Sequence, residues 1–141
     1  GDLDGAFADY KKAAEANPAE VFAWLNMGVI RVGRGDLDGA LADFEKGVAA
    51  NPGNSSAWGN RAWVKEQKGD ATGALADYTK AIELDPRNVS PLLNRGALLA
   101  RRGAKALALA DLERASALGI PKSREQGVRD LIATLKRDLG R

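Results

Sequence analysis

The stretch GDLDGAFADY at residues 1–10 returns as GDLDGALADF at residues 35–44, with changes only at Phe7/Leu41 and Tyr10/Phe44. The offset is 34 residues, and it recurs: GDATGALADY begins at Gly69 and a worn copy, GAKALALADL, at Gly103. A fixed spacing of this length marks an array whose unit is one supersecondary element. Each unit must then present the same surface to the next, so identical packing demands explain the copying.

Each period divides into two helical stretches. One runs from the Gly-Asp pair to a proline, as in DLDGALADFEKGVAANP, where Leu41, Phe44 and Val48 fall at three- and four-residue spacing on one face. Pro18, Pro52 and Pro86 cannot continue a helix, and Asn17, Asn51 and Asp85 before them favour local turns. The other stretch, as in VFAWLNMGVIRVGR, ends at Gly35, Gly69 or Gly103, where a positive φ is commonly required. Asp36 and Asp70 then stand where the following helix favours an anion. Two antiparallel helices per period make a helix hairpin. The expected helices are 2–16, 20–33, 37–50, 55–68, 71–84, 89–102, 105–118 and 123–139.

Certain columns stay small: Ala6, Ala40, Ala74 and Ala108; Ala13, Gly47, Ala81 and Ala115; Gly28, Ala62 and Gly96. Small residues at fixed places let helix backbones approach closely, and a larger side chain there would change the crossing. Tyr10, Phe44, Tyr78 and Leu112 form the large column that fills the space between hairpins.

These columns resemble the tetratricopeptide repeat. The pattern A-x3-F/Y, followed eight residues later by Pro, stands at Ala6/Tyr10/Pro18, Ala40/Phe44/Pro52 and Ala74/Tyr78/Pro86. The family's W-x2-L-G-x2-Y is looser. Trp24, Met27 and Gly28 keep most of it with Arg31 in place of Tyr, whereas Arg61, Ala62 and Lys65 follow Trp58, and Leu92, Arg95, Gly96 and Leu99 depart further. The resemblance implies an all-α, right-handed α-solenoid forming a single domain over 1–141. Its full repeats are 21–54, 55–88 and 89–122, preceded by the second helix of a truncated repeat (1–20) and closed by a capping helix (123–141). Gly1 opens the chain in mid-pattern without an initiator Met, so this end is expected to be a processed boundary. Helix 2–16 is expected to dock on the next unit and leave its Phe7, Tyr10 and Ala14 side uncovered, where it would recruit another copy of the chain or fray.

After Pro121, Ser123 to Gln126 has the form of a capping box. Val128, Leu131, Ile132, Leu135 and Leu139 make an apolar stripe opposite Arg124, Arg129, Asp130, Lys136 and Arg137. A solenoid needs such a last helix with one apolar and one solvated face; the alternative is a basic helix for a partner or membrane surface.

Composition narrows the chemistry. The chain has no Cys and no His, which removes disulfides, thiol nucleophiles, imidazole bases and the usual zinc ligands. No phosphate-cradling glycine loop or acidic metal loop is present, and nothing gathers carboxylate, Lys or Tyr into an acid–base site. Neither catalysis nor a cofactor is expected. No apolar run approaches a membrane span of about 20 residues. The compartment stays open, the cytoplasm being the first expectation. Residues 1–88 carry 10 Lys/Arg against 14 Asp/Glu, a balance of −4, and residues 89–141 carry 11 against 5, a balance of +6. The basic end could favour acidic partners, but it has almost no aromatics on which bases could stack, so no specific nucleic acid is expected.

In the family's superhelix the first helix of each repeat lines the inner surface. The resemblance therefore places a peptide-binding groove on Phe22, Leu25, Asn26 and Val29, then Ser56, Asn60 and Trp63, then Ser90, Leu93, Asn94, Ala97 and Arg101. Asn26, Asn60 and Asn94 repeat at 34 residues, and each carries a donor and an acceptor suited to a peptide backbone. Sugar-transferring members of the family hold peptides with such an Asn ladder, although the same residues could instead fix hairpin stacking. Chaperone-docking members clamp a terminal carboxylate with Lys, Asn and Arg; here Leu25, Val29, Ser90 and Asn94 occupy four of those five places and only Asn60 matches. The expected function is a protein-interaction scaffold binding an extended peptide or partner segment. The alternative is an assembly module that self-associates through its ends without a groove ligand.

Overall fold

The structure is a computed structural model that describes all 141 residues. It contains eight α-helices and no strand: α1 (Leu3–Ala16), α2 (Val21–Gly33), α3 (Leu37–Ala50), α4 (Ser55–Gln67), α5 (Ala71–Leu84), α6 (Val89–Arg101), α7 (Lys105–Leu118) and α8 (Lys122–Asp138). Every boundary falls within one residue of its expected place. The chain packs as two compact units, Gly1–Leu84 with α1–α5 and Asp85–Arg141 with α6–α8.

In the first unit the repeated residues act locally, as their chemistry requires. Asp2, Asp36 and Asp70 accept hydrogen bonds from the backbone N–H of Gly5, Gly39 and Gly73 at 2.9, 2.8 and 2.8 Å, satisfying one free donor at each helix start. Gly35 and Gly69 take φ of +76° and +87°, the left-handed conformation that reverses the chain between helices. Asn17 and Asn51 accept from the N–H of Ala19 and Gly53 at 3.2 and 2.9 Å, which closes the turn at each Asn-Pro pair. The carbonyls of Pro18 and Pro52 accept from the indole N–H of Trp24 and Trp58 at 2.9 and 2.8 Å, tying each turn to the helix after it.

Val21, Leu25, Ala40, Phe44, Val48, Ala57 and Val64 form one core, with Trp58 and Trp63 packed against it. The small columns permit this approach: a Cβ built on Gly28 would overlap the Phe44 ring, its Cζ lying only 2.7 Å away. Ala14, Ala23 and Met27 make a satellite core between α1 and α2, with Phe7, Tyr10 and Trp24 packed on it. This corrects the expectation for α1. Its Phe7, Tyr10 and Ala14 side is the packed one, with the Arg31 and Arg34 guanidinium groups 5.1 and 5.3 Å from the Phe7 ring centre. The open side carries Leu3 and Ala13, both exposed.

The second unit follows the same rules with substitutions. Gly103 turns the chain at φ +79°, but Ala104 stands where the Asp caps stood and α7 has no side-chain cap. Leu92 replaces the tryptophan, and Arg114 takes over the proline carbonyl, donating to that of Pro86 at 2.8 Å. Leu92, Leu93, Leu98, Leu109 and Leu112 are buried. The apolar stripe of α8 packs down, with Val128 and Leu135 buried and Leu131, Ile132 and Leu139 half-buried. Lys105–Asp138 at 3.0 Å and Lys136–Glu113 at 2.7 Å tie α8 to α7. The capping box does not form. Pro121, with φ −58°, is the N-cap, and Ser123 lies within the first turn. Gln126 donates to Asp130 at 2.7 Å instead of turning back.

Candidate functional site

In the first unit α2 and α4 expose a shared surface. Phe22 is 67% exposed and Val29 54%, unusual for apolar side chains two turns apart on one helix. Beside them Val29, Val32, Phe44, Asn60 and Trp63 line an open, mainly apolar depression of about 160 Å³. Trp63 does two things there: it packs on the core and it lines the depression. Ser56, one turn before Asn60, is exposed. Leu25, expected on this surface, is instead part of the core beneath it.

The three repeated asparagines meet different surroundings. Asn26 donates its Nδ2 to the carbonyl of Phe22 at 2.8 Å within its own helix, which leaves its Oδ1 for other donors. Asn60 faces the apolar depression. In the second unit, Asn94 accepts from Arg124 of α8 at 3.3 Å, leaving its amide N–H groups. Of the other expected groove residues there, Ser90 and Arg101 are exposed, Ala97 is half-buried, and Leu93 is buried among the helices.

A second periodic feature was not anticipated from the sequence. Asp43, Asp77 and Asp111, each preceding a residue of the large column, are buried carboxylates. Each meets a guanidinium: Arg31 Nε to Asp43 at 2.8 Å, Arg61 Nε to Asp77 at 2.7 Å, and Arg95 Nε to Asp111 at 2.7 Å. Asp77 has more support than Asp43. Arg61 bonds both its oxygens, the second at 2.8 Å, and Lys65 adds a contact at 2.8 Å. Arg31 divides itself between Asp43 and Asp36, the latter at 2.6 Å.

The two carboxylates are equally buried, each 4% exposed, so partner number decides their charge balance. Burial pushes the Asp43 carboxyl above its ordinary range, and Arg31 offsets this only in part. Burial also pushes Asp77 upward, but its bonds to Arg61 and Lys65 outweigh it and hold the carboxyl low. The signal in the sequence is Asp9, Asp43, Asp77 and Asp111 at 34-residue spacing. Its cationic partners change column from Arg31 to Arg61 and Arg95, so the pairing has no single period.

The family model described as Tetratricopeptide repeat matches residues 1–55, 25–89 and 60–120, which together span most of the chain. The chain belongs to the tetratricopeptide-repeat family. Among solved structures of this fold, that of MamA superposes with a TM-score of 0.82 at 21% identity, over 99% of this chain and 80% of that one. The first tetratricopeptide domain of Spaghetti (RPAP3), bound to an HSP90 peptide, gives 0.77 at 20% identity over 86% and 94% of the two chains. YrrB, described as a tetratricopeptide protein with an unusual peptide-binding site, gives 0.75 at 20% over 98% and 70%. At these identities the likeness shows the fold. No curated protein matches the sequence. No helix is long and apolar enough to cross a membrane.

Proposed function

We propose that this tetratricopeptide chain is a protein-interaction module, not an enzyme, and that the α2/α4 surface of its first unit holds an extended peptide segment of a partner. The observation that carries this is the pair of exposed apolar residues, Phe22 and Val29, beside a depression lined by Trp63 and Asn60. An apolar side chain of the peptide enters the depression, while Asn60 and the free Oδ1 of Asn26 bond its backbone. Peptide binding by the RPAP3 domain and by YrrB supports the ligand class. The groups named here carry no charge, and Leu25 lies in the core where a carboxylate clamp would place a cation. An internal, uncharged segment therefore suits the surface better than a C-terminal carboxylate.

The test pairs binding with melting. Replacing Asn26 and Asn60 by Ala removes two hydrogen bonds worth about 0.5–1.5 kcal/mol each, so affinity for an isolated partner peptide falls roughly five- to a hundredfold. Thermal stability stays within about 0.5 kcal/mol, because half-buried helix-surface Asn packs little and Ala is the better helix former. A double variant that melts early yet binds as tightly as the parent assigns these residues to stacking and ends the proposal.

Self-association through α1 is the second reading, and one observation favours it. Ala13 is exposed, whereas its repeat counterparts Gly47, Ala81 and Ala115 are buried. Light scattering that stays monomeric across a concentration series excludes it.

A further inference from the structure

Within the second unit, α8 does more than cover α7. Leu93 and Ala97 of α6, Leu112 of α7 and Leu131 of α8 line an open depression of about 310 Å³, with Arg124 at its edge. Gly127 of α8 lines it too, and a Cβ built there meets nothing within 4 Å, so the absence of a side chain keeps the space open. Gly costs about 1 kcal/mol relative to Ala inside a helix, and no close contact or positive φ requires it at this position.

Charge identifies the occupant. Arg124 touches the Asn94 side-chain oxygen at 3.3 Å and makes no ion pair. Elsewhere on α8, Arg129 and Lys136 are matched by Glu125 and Glu113. Residues 85–141 carry 12 Lys/Arg against 6 Asp/Glu, a balance of +6, whereas residues 1–84 carry 9 against 13, a balance of −4. A greasy depression edged by a guanidinium without a carboxylate, in a basic unit, complements an apolar side chain flanked by acid.

We infer that the α6–α7–α8 depression is a second peptide site, which takes a Leu-sized apolar side chain next to Asp or Glu. In this site α8 is a ligand-binding helix, with Arg124 bonding the acidic neighbour. The inference stands whether or not the α2/α4 surface binds, because the two sites lie in different units and only the second selects acidic neighbours.

The experiment is an amide-shift titration of the intact chain with a blocked seven-residue peptide holding one Leu between two Asp in a Ser/Gly background. Saturable shifts are expected at Ala97, Gly127 and Leu131. Changing the peptide Leu to Ala weakens binding about tenfold, since burying that side chain contributes at least about 1.4 kcal/mol. Arg124→Gln weakens it about two- to fivefold, the scale of a solvent-exposed ion pair, and removes most of its salt dependence. Gly127→Leu fills the depression and abolishes binding, while the melting temperature holds or rises. Four results overturn the inference: no saturable shift, shifts confined to α2 and α4, equal binding of a control peptide with Lys in place of both Asp, or undiminished binding by Gly127→Leu. Shifts of α8 on concentrating the chain without peptide would assign the depression to a second copy and overturn it too.

Discussion

The contrast between Asp77 and Asp43 predicts opposite responses to one substitution. Asp77→Asn keeps the shape of the side chain and removes its charge, leaving Arg61 and Lys65 facing a neutral amide. Loss of one partner from a buried pair costs about 3–5 kcal/mol. Arg61 and Lys65 are 17% and 22% exposed and recover some hydration, so a cost of about 2–3 kcal/mol is expected here. Asp43→Asn removes a carboxylate that burial already disfavours, and Arg31 keeps its bond to Asp36, so its cost is about 1 kcal/mol or less. Both positions lie in the first unit, so denaturant unfolding followed by circular dichroism compares them directly.

The pH dependence separates the two further. Asp77 has a folded-state pKa below its unfolded value. Its contribution is present above the unfolded pKa and disappears as pH falls through the folded one, so the advantage of the parent over Asp77→Asn shrinks in acid. Asp43 has a folded-state pKa above its unfolded value, so ionisation costs stability at neutral pH and protonation relieves that cost. The parent therefore gains on Asp43→Asn as pH falls through the window between the raised pKa and the ordinary carboxylate value. Equal costs for the two variants, or slopes of the same sign, would refute the argument from partner number.

Gly28→Ala places a methyl group against the Phe44 ring and is expected to lower stability by about 1–3 kcal/mol in a thermal melt. Adding Phe44→Leu should return part of that loss. Trp63→Ala is expected to lower partner-peptide affinity at least tenfold, as an aromatic anchor does. It should also cost measurable stability, because the same ring packs on the first-unit core; titration calorimetry and melting together check both effects.

What the sequence made legible divides by the range of the interaction. Helix starts, turns and stops are set within five or six residues, by Asp36 with Gly39, Asn51 with Gly53, and Trp58 with Pro52, so spacing alone placed the eight helices. The small and large columns were legible for the same reason, since they meet inside one hairpin, Gly28 against Phe44 and Gly96 against Leu112. The capping box of α8 was misread because Pro121, with its fixed φ, stands at the N-cap position, ahead of the Ser123 pattern. Leu25 was placed on the surface by helical spacing read in the family's geometry; its neighbours across the hairpin bury it. The repeated asparagines were visible as a period, but their bonds depend on Phe22 in one case and on α8 in another.

The buried carboxylates explain the departures from the family motif. Arg31 and Lys65 stand where the motif has Tyr, and Arg61 and Arg95 where it has Leu. Read singly, each looks like decay of the pattern. In the structure all four reach the Asp of the following helix or lie beside one that does, so a lost apolar contact is exchanged for a charge-assisted bond within the same hairpin. The exchange works only while the carboxylate remains. Restoring the motif by Arg61→Leu should therefore destabilise the α4/α5 hairpin, because Asp77 would keep Lys65 alone. The same change made together with Asp77→Ala leaves no unpaired carboxylate and should cost less than Arg61→Leu by itself. A double variant no more stable than the single one would show that the guanidinium is retained for its packing against Trp58, 4.7 Å from that ring centre, and not for its charge.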